Sequence, residues 1–181
     1  MSTKKETILM AGDSIVAWGD WEVLLPGYAI KNRGLAGERA EELAGRIFQE
    51  LAEQEPFDLI LIMSGTNNLL MGDSLFPAIF SSMLPRIQML VPDVQIILHA
   101  LFPMPAVPAH EISQVNEQLA DICTRTNCRF IDAAEEFTTH CRPITHPCFH
   151  PDGVHLTNRG YTVWAEVLNR HLRSTADSDE G

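Results

Sequence analysis

The sequence predicts an α/β fold, with a parallel β-sheet enclosed between two layers of helices, and three observations carry that expectation. Residues 58–63 (DLILIM) and 94–101 (VQIILHAL) are nearly unbroken apolar runs. Parallel strands show this pattern because crossover helices bury both their faces. Between such runs lie segments whose apolar residues recur at three- and four-residue spacing, the stripe of an amphipathic helix. The early apolar runs also stop at turn residues, Gly12 after the first and Asn32-Arg33-Gly34 after the second.

Taken in order, residues 7–11 and 28–31 form the first two strands, the second more weakly apolar. Leu43, Ala44, Ile47, Phe48 and Leu51 mark the first helical stripe, and residues 58–63 follow as the third strand. Phe76, Ile79, Phe80, Met83, Ile87 and Leu90 mark the next helix. Pro77 suits its first turn, and Pro85 is expected to kink or divide it. After the fourth strand, residues 94–101, comes a helix on Ile112, Val115, Leu119 and Ile122, and residues 128–131 supply a fifth strand. The last helix carries Tyr161, Trp164, Leu168 and Leu172 and is entered through Thr157 or Asn158 as cap. Alternating strands and right-handed crossovers give a three-layer α/β/α sandwich with a flavodoxin-like five-stranded parallel sheet, expected order 2-1-3-4-5. One domain should span residues 1–173, and the polar, acidic stretch 174–181 should fray as a tail.

Composition narrows the function. The 181 residues hold 13 Lys and Arg against 24 Asp and Glu, a formal net charge of −11, which disfavours nucleic acid and anionic membrane surfaces as partners. The apolar run at residues 8–11 is too short for a signal-peptide core, and no run approaches the roughly 20 apolar residues of a membrane span. A soluble, cytoplasmic protein is expected. Cys123, Cys128, Cys141 and Cys148 lack the close pairing of a zinc ribbon, although His140, His146 and His150 lie among them. They are expected to be unpaired thiols in a reducing cytosol, with no metal and no other cofactor.

The chemistry is concentrated at the strand ends, where open α/β sheets bind ligands. Gly12-Asp13-Ser14 follows the first strand, and Asp152-Gly153-Val154-His155 precedes the last helix. Together they hold a hydroxyl, an imidazole and a carboxylate, the parts of an activated serine nucleophile. Acyl transfer also needs donors aimed at a developing oxyanion, and the backbone N–H groups of Ser14 and Gly34 with the side-chain amide of Asn67 are the candidates.

These ordered segments resemble the four blocks of the SGNH hydrolase superfamily, the GDSL esterases and lipases, and most of all its small bacterial and platelet-activating-factor acetylhydrolase-like members. The resemblance implies that Ser14 is the nucleophile, that Asp152 and His155 complete a Ser-His-Asp triad, and that Ser14, Gly34 and Asn67 line the oxyanion hole. It implies hydrolysis of a small-molecule carboxylic ester or thioester through an acyl-serine intermediate, with short acyl groups favoured. Ile15 and Asn68 depart from the common pattern, the second at a position that braces the Asn67 loop.

Each residue also has a plainer reading: Ser14 as a helix cap, Gly34 as a tight turn, Asn67 and Asp152 as turn formers, and His155 as a satisfied surface histidine. Gly72-Asp73-Ser74 repeats the nucleophile tripeptide ahead of the Phe76 helix and is read as a cap. Trp18 and Trp21 are candidates to wall the pocket, and His146 and His150 to line it from a Pro-rich loop. Two rival readings are a non-catalytic flavodoxin-like module binding an anion or nucleotide, and a zinc hydrolase using the Cys/His-rich loop. The first lacks both a P-loop and a Gly-x-Gly-x-x-Gly fingerprint.

Overall fold

The computed structural model describes residues 5–53 and 56–176. Its elements run β1 (Thr7–Gly12), α1 (Ser14–Ala17), α2 (Trp21–Leu24), β2 (Ala29–Gly34), α3 (Ala40–Glu53), β3 (Leu59–Met63), α4 (Thr66–Leu70), α5 (Pro77–Leu90), β4 (Gln95–His99), α6 (Ala109–Thr126), β5 (Arg129–Ile131), α7 (Ala134–His140) and α8 (Asn158–Ala176). The strands pair in parallel in the order β2-β1-β3-β4-β5, flanked by helices in a three-layer sandwich. All five residues of β3 are buried, as expected of a central strand covered on both faces. In one helical layer α5 packs between α3 and α6, and in the other α8 meets α2 and α7.

Several boundaries differ from the sequence expectation for identifiable reasons. β2 continues through Asn32 and Arg33 to Gly34 because it is an edge strand in full register with β1, down to the pair Gly12–Gly34. One flank of an edge strand is open, so polar residues cost little there. β4 stops at His99, and Leu101 has left the sheet: the buried Asn116 amide takes both its N–H (2.8 Å) and its carbonyl (2.9 Å). α5 runs unbroken through Pro85. The carbonyl of Ser81, which Pro85 deprives of a donor, lies at an exposed position, while Phe80, Met83, Leu84 and Ile87 hold the helix to the core. Thr157 opens α8, its hydroxyl accepting the Gly160 N–H at 3.3 Å. That helix extends to Ala176, past the boundary drawn at residue 173; residues 177–181 of the expected tail lie outside the described residues. No described helix is long and apolar enough to cross a membrane.

Candidate active site

β1 ends at Gly12 and the chain turns at once into α1, placing Ser14 at the carboxyl edge of the sheet, 5% exposed. Asp13 caps that turn, its Oδ1 accepting the Ile15 N–H at 3.0 Å. A four-residue helix cannot sustain itself. Here every carbonyl of α1 is held: Ser14 O accepts the Trp18 N–H, Ile15 O the Tyr161 hydroxyl, Val16 O the Trp21 indole N–H, and Val16 O and Ala17 O share the Asn32 amide. The serine turn is thereby fixed to α2, β2 and α8.

Ser14 Oγ lies 3.1 Å from His155 Nε2, across 141 residues of chain. His155 Nδ1–H donates to Asp152 Oδ2 at 2.8 Å, which leaves Nε2 as the acceptor for the serine hydroxyl. The other Asp152 oxygen accepts the N–H groups of Val154 (2.9 Å) and His155 (3.0 Å), an Asx turn that presents the imidazole. The His155 hydrogen bond, followed by these two N–H groups, holds the Asp152 carboxyl down at about 2. Trp18, 57% exposed, stacks on the His155 ring with centroids 4.4 Å apart. It walls the imidazole on the solvent side. Trp21 is buried instead against Trp164 and Tyr161.

Gly34 stands differently from the sequence expectation. Its N–H donates to Asn32 Oδ1 at 3.0 Å and is not free for an oxyanion. The glycine is required there by packing, because a Cβ would stand 2.3 Å from the Ala17 nitrogen. Gly37, three residues on, was missed. It has φ +80°, faces open space, and its N–H has no acceptor among the described residues. The turn in which Glu38 N–H bonds Leu35 O positions it, and the signal in the sequence was this second glycine directly before an acidic helix start.

Asn67, on α4, donates one amide hydrogen to Glu38 O at 2.9 Å, tying it to the Gly37 loop. Arg46 braces the same loop through both ends: it forks onto the buried Glu38 carboxylate, with Nη2 2.8 Å from Oε2, and Nη2 also reaches Arg33 O at 2.7 Å. Asn68 is fully buried and uses its whole amide. Oδ1 accepts the Ala40 N–H, and Nδ2 donates to Glu41 and Asp73, each at 2.9 Å. An aspartate here would face two carboxylates, so the departure at this position suits its surroundings. The second Gly-Asp-Ser copy does not cap α5, whose N-cap is Phe76. Asp73 accepts from Leu75 and Asn68, and Ser74 is exposed.

Cys141 and Cys148 form a disulfide, contrary to the expectation of four unpaired thiols. The chain reverses between them, Arg142 and His146 exchanging backbone hydrogen bonds, and this brings the sulfurs together. Cys123 and Cys128 are free, and burial pushes the Cys123 thiol up to about 12. Disulfides persist in oxidising surroundings, which is at odds with the cytosolic setting expected above. His146 is exposed on that turn beside Thr145, and His150 serves through its backbone N–H to His155 O. Neither hydrogen-bonds to Ser14, Asp152 or the His155 ring among the described residues. No group of three or more His, Cys, Asp or Glu suited to a metal occurs among the described residues.

Residues 10–163 match the model of the GDSL-like lipase/acylhydrolase family. The chain belongs to that family. As a GDSL-type enzyme it is an ester hydrolase. Its fold is similar to a Streptococcus pneumonia protein described as a platelet activating factor (19% identity, TM-score 0.79, 95% of this chain and 86% of that one). It is similar also to the lipase/acylhydrolase from Enterococcus faecalis (21% identity, TM-score 0.75, 94% and 96%). A third neighbour is the acetylxylan esterase from Geobacillus stearothermophilus (21% identity, TM-score 0.73, 94% and 95%). Catalytic mutants of that esterase replace a serine, an aspartate and, three positions after the aspartate, a histidine. No curated protein matches the chain in sequence.

Proposed function

We propose that this GDSL-type hydrolase cleaves small carboxylic esters through an acyl-Ser14 intermediate, with Ser14, His155 and Asp152 as its catalytic triad. The observation that carries the reading is the continuous hydrogen-bonded path from Ser14 Oγ through His155 to Asp152, 3.1 and 2.8 Å per step. His155 Nε2 takes the serine proton as Oγ attacks the acyl carbon, and Asp152 stabilises the imidazolium. The imidazolium protonates the departing alcohol oxygen. Water then attacks the acyl-serine with the same base, releasing the acid.

The oxyanion is received by the Ser14 N–H, the second hydrogen of the Asn67 amide, and the N–H of Gly37 in place of Gly34. Removal of one such donor costs on the order of 10²–10³-fold in kcat. Acetyl or another short acyl group is the proposed acyl portion, supported by the fold shared with an acetylxylan esterase. Thioester cleavage follows the same steps. The rival anion- or nucleotide-binding module has no use for a serine hydroxyl aimed at an imidazole.

A fluorophosphonate probe tests the reading. Folded protein should be labelled at Ser14, with labelling abolished in Ser14→Ala and strongly slowed in His155→Ala. Absence of labelling, or labelling that survives Ser14→Ala, overturns it.

A further inference from the structure

A second cavity, of about 680 Å³, lies beside the catalytic loop, and nothing in the proposed mechanism uses it. This is within the size range of small-ligand sites. Pro103 and Pro105, from the loop after β4, form one side, and Phe137 and Phe149 lie together at another, ring centroids 5.7 Å apart. The Cys141–Cys148 bridge also lines it, and Pro151 and Gly153 contribute the two residues that flank Asp152. The Ala106 N–H bonds Gly153 O at 3.1 Å, which joins the loop after β4 to the catalytic loop. The cavity therefore shares a wall with the segment that presents His155.

Its hydroxyls are already committed. Thr138 donates to Ala134 O at 2.8 Å and Thr157 to Pro147 O at 2.7 Å. The imidazole of His150 is the one side chain of the lining that could serve a hydroxyl-rich ligand, whereas a hydrocarbon would meet proline rings and phenyl faces along most of the wall. Reaction chemistry supplies the direction. The acyl oxygen must sit at the donors of Ser14, Gly37 and Asn67, while the leaving oxygen must reach His155 to be protonated. The alcohol portion therefore starts at His155, two residues along the chain from Gly153 in the cavity wall.

We propose that this cavity is the subsite for the alcohol portion of the ester, and that the alcohol it accepts is apolar, a medium-length alkyl or an aryl group. The inference rests on the acyl-Ser14 reading. A fully buried methylene is worth up to about fourfold in kcat/KM.

The test is a series of acetates of n-alkanols from ethyl to octyl, set beside an acetylated methyl glycoside and a series of ethyl esters of lengthening acids. For the wild type, kcat/KM should climb with alkanol length to a plateau, exceed that of the glycoside, and gain little along the acyl series. Thr138→Trp, which fills the cavity from exposed α7, should bring the octyl-to-ethyl ratio toward one. Independently of any variant, 1-octanol should inhibit ethyl acetate hydrolysis far more strongly than ethanol. A flat alkanol series, a rise confined to the acyl series, equal inhibition by the two alcohols, or an unchanged octyl-to-ethyl ratio in folded Thr138→Trp each overturns the subsite. Loss of the acyl-serine reading looks different: folded protein then shows no Ser14-dependent turnover of any ester, ethyl acetate included.

Discussion

Asp13 offers the sharpest quantitative test of the physical account, because its carboxyl is fully buried beside Ser14. Oδ1 caps α1, but Oδ2 has no hydrogen-bond partner, although the Thr66 hydroxyl and N–H lie near it. Desolvation lifts the group from 3.8 to about 6, against the lowering effect of the Ile15 and Thr66 donors. A carboxyl raised in the folded state binds its proton more tightly there than in the unfolded chain. Its burial is therefore a full penalty above pH 6, and the penalty disappears as pH falls from about 6 through 3.8. A shift of roughly two units corresponds to about 3 kcal/mol. Asp13→Asn removes this dependence and preserves the cap acceptor. Urea unfolding of both proteins between pH 8 and pH 3.5 should show the stability of wild type relative to Asp13→Asn rising by about 3 kcal/mol on acidification. Contributions common to both, Asp152 among them, cancel in that difference. A flat difference, or one that falls with acidification, refutes the assignment of a buried, largely ionised carboxylate at neutral pH.

Three further outcomes are expected. Asn68→Asp sets a third carboxylate between Glu41 and Asp73, both now held low chiefly by the Asn68 amide; it should lose about 3 kcal/mol at pH 8 and recover part of it by pH 5, read by urea unfolding. Arg46→Met releases the Gly37 loop and strands buried Glu38; steady-state kinetics on an aryl acetate should show kcat down about tenfold or more with KM little changed, and Arg46→Lys should restore part of it. Replacing both Cys141 and Cys148 by serine opens a loop of seven-residue separation, and chain entropy puts the loss near 2.5 kcal/mol, measurable as a lowered urea midpoint.

The central strands and the Asp152–His155 pair were legible in sequence because both are local. Leu59–Met63 is apolar throughout since its two faces are covered, and Asp152 reaches His155 within one turn. The features that escaped depend on side-chain rotamers and turn shapes that carry no sequence pattern of their own. Whether Gly34 has a free N–H is decided by the rotamer of Asn32, whose amide also holds the carbonyls of α1, 15 and 16 residues away in sequence. The Cys141–Cys148 pair depends on a chain reversal without Gly, in a stretch that reads only as Pro-rich loop. The two Gly-Asp-Ser copies illustrate the difference. Asp13 and Asp73 each accept the N–H two residues on, at 3.0 and 2.9 Å, so the local turns match. Burial separates them: Ser14 is enclosed at the end of β1 against His155, while Ser74 faces solvent. Four-residue α1 and α2 and seven-residue α7 are too short to carry a periodic stripe, and α7 proves to wall the second cavity.

The most direct measurement of the central claim is mass spectrometry of the protein quenched during turnover of an aryl acetate. The account predicts a single added acetyl group on the peptide containing Ser14, formed in a burst stoichiometric with enzyme and absent from Ser14→Ala. Turnover with no acyl adduct, or with the adduct on another residue, would contradict it.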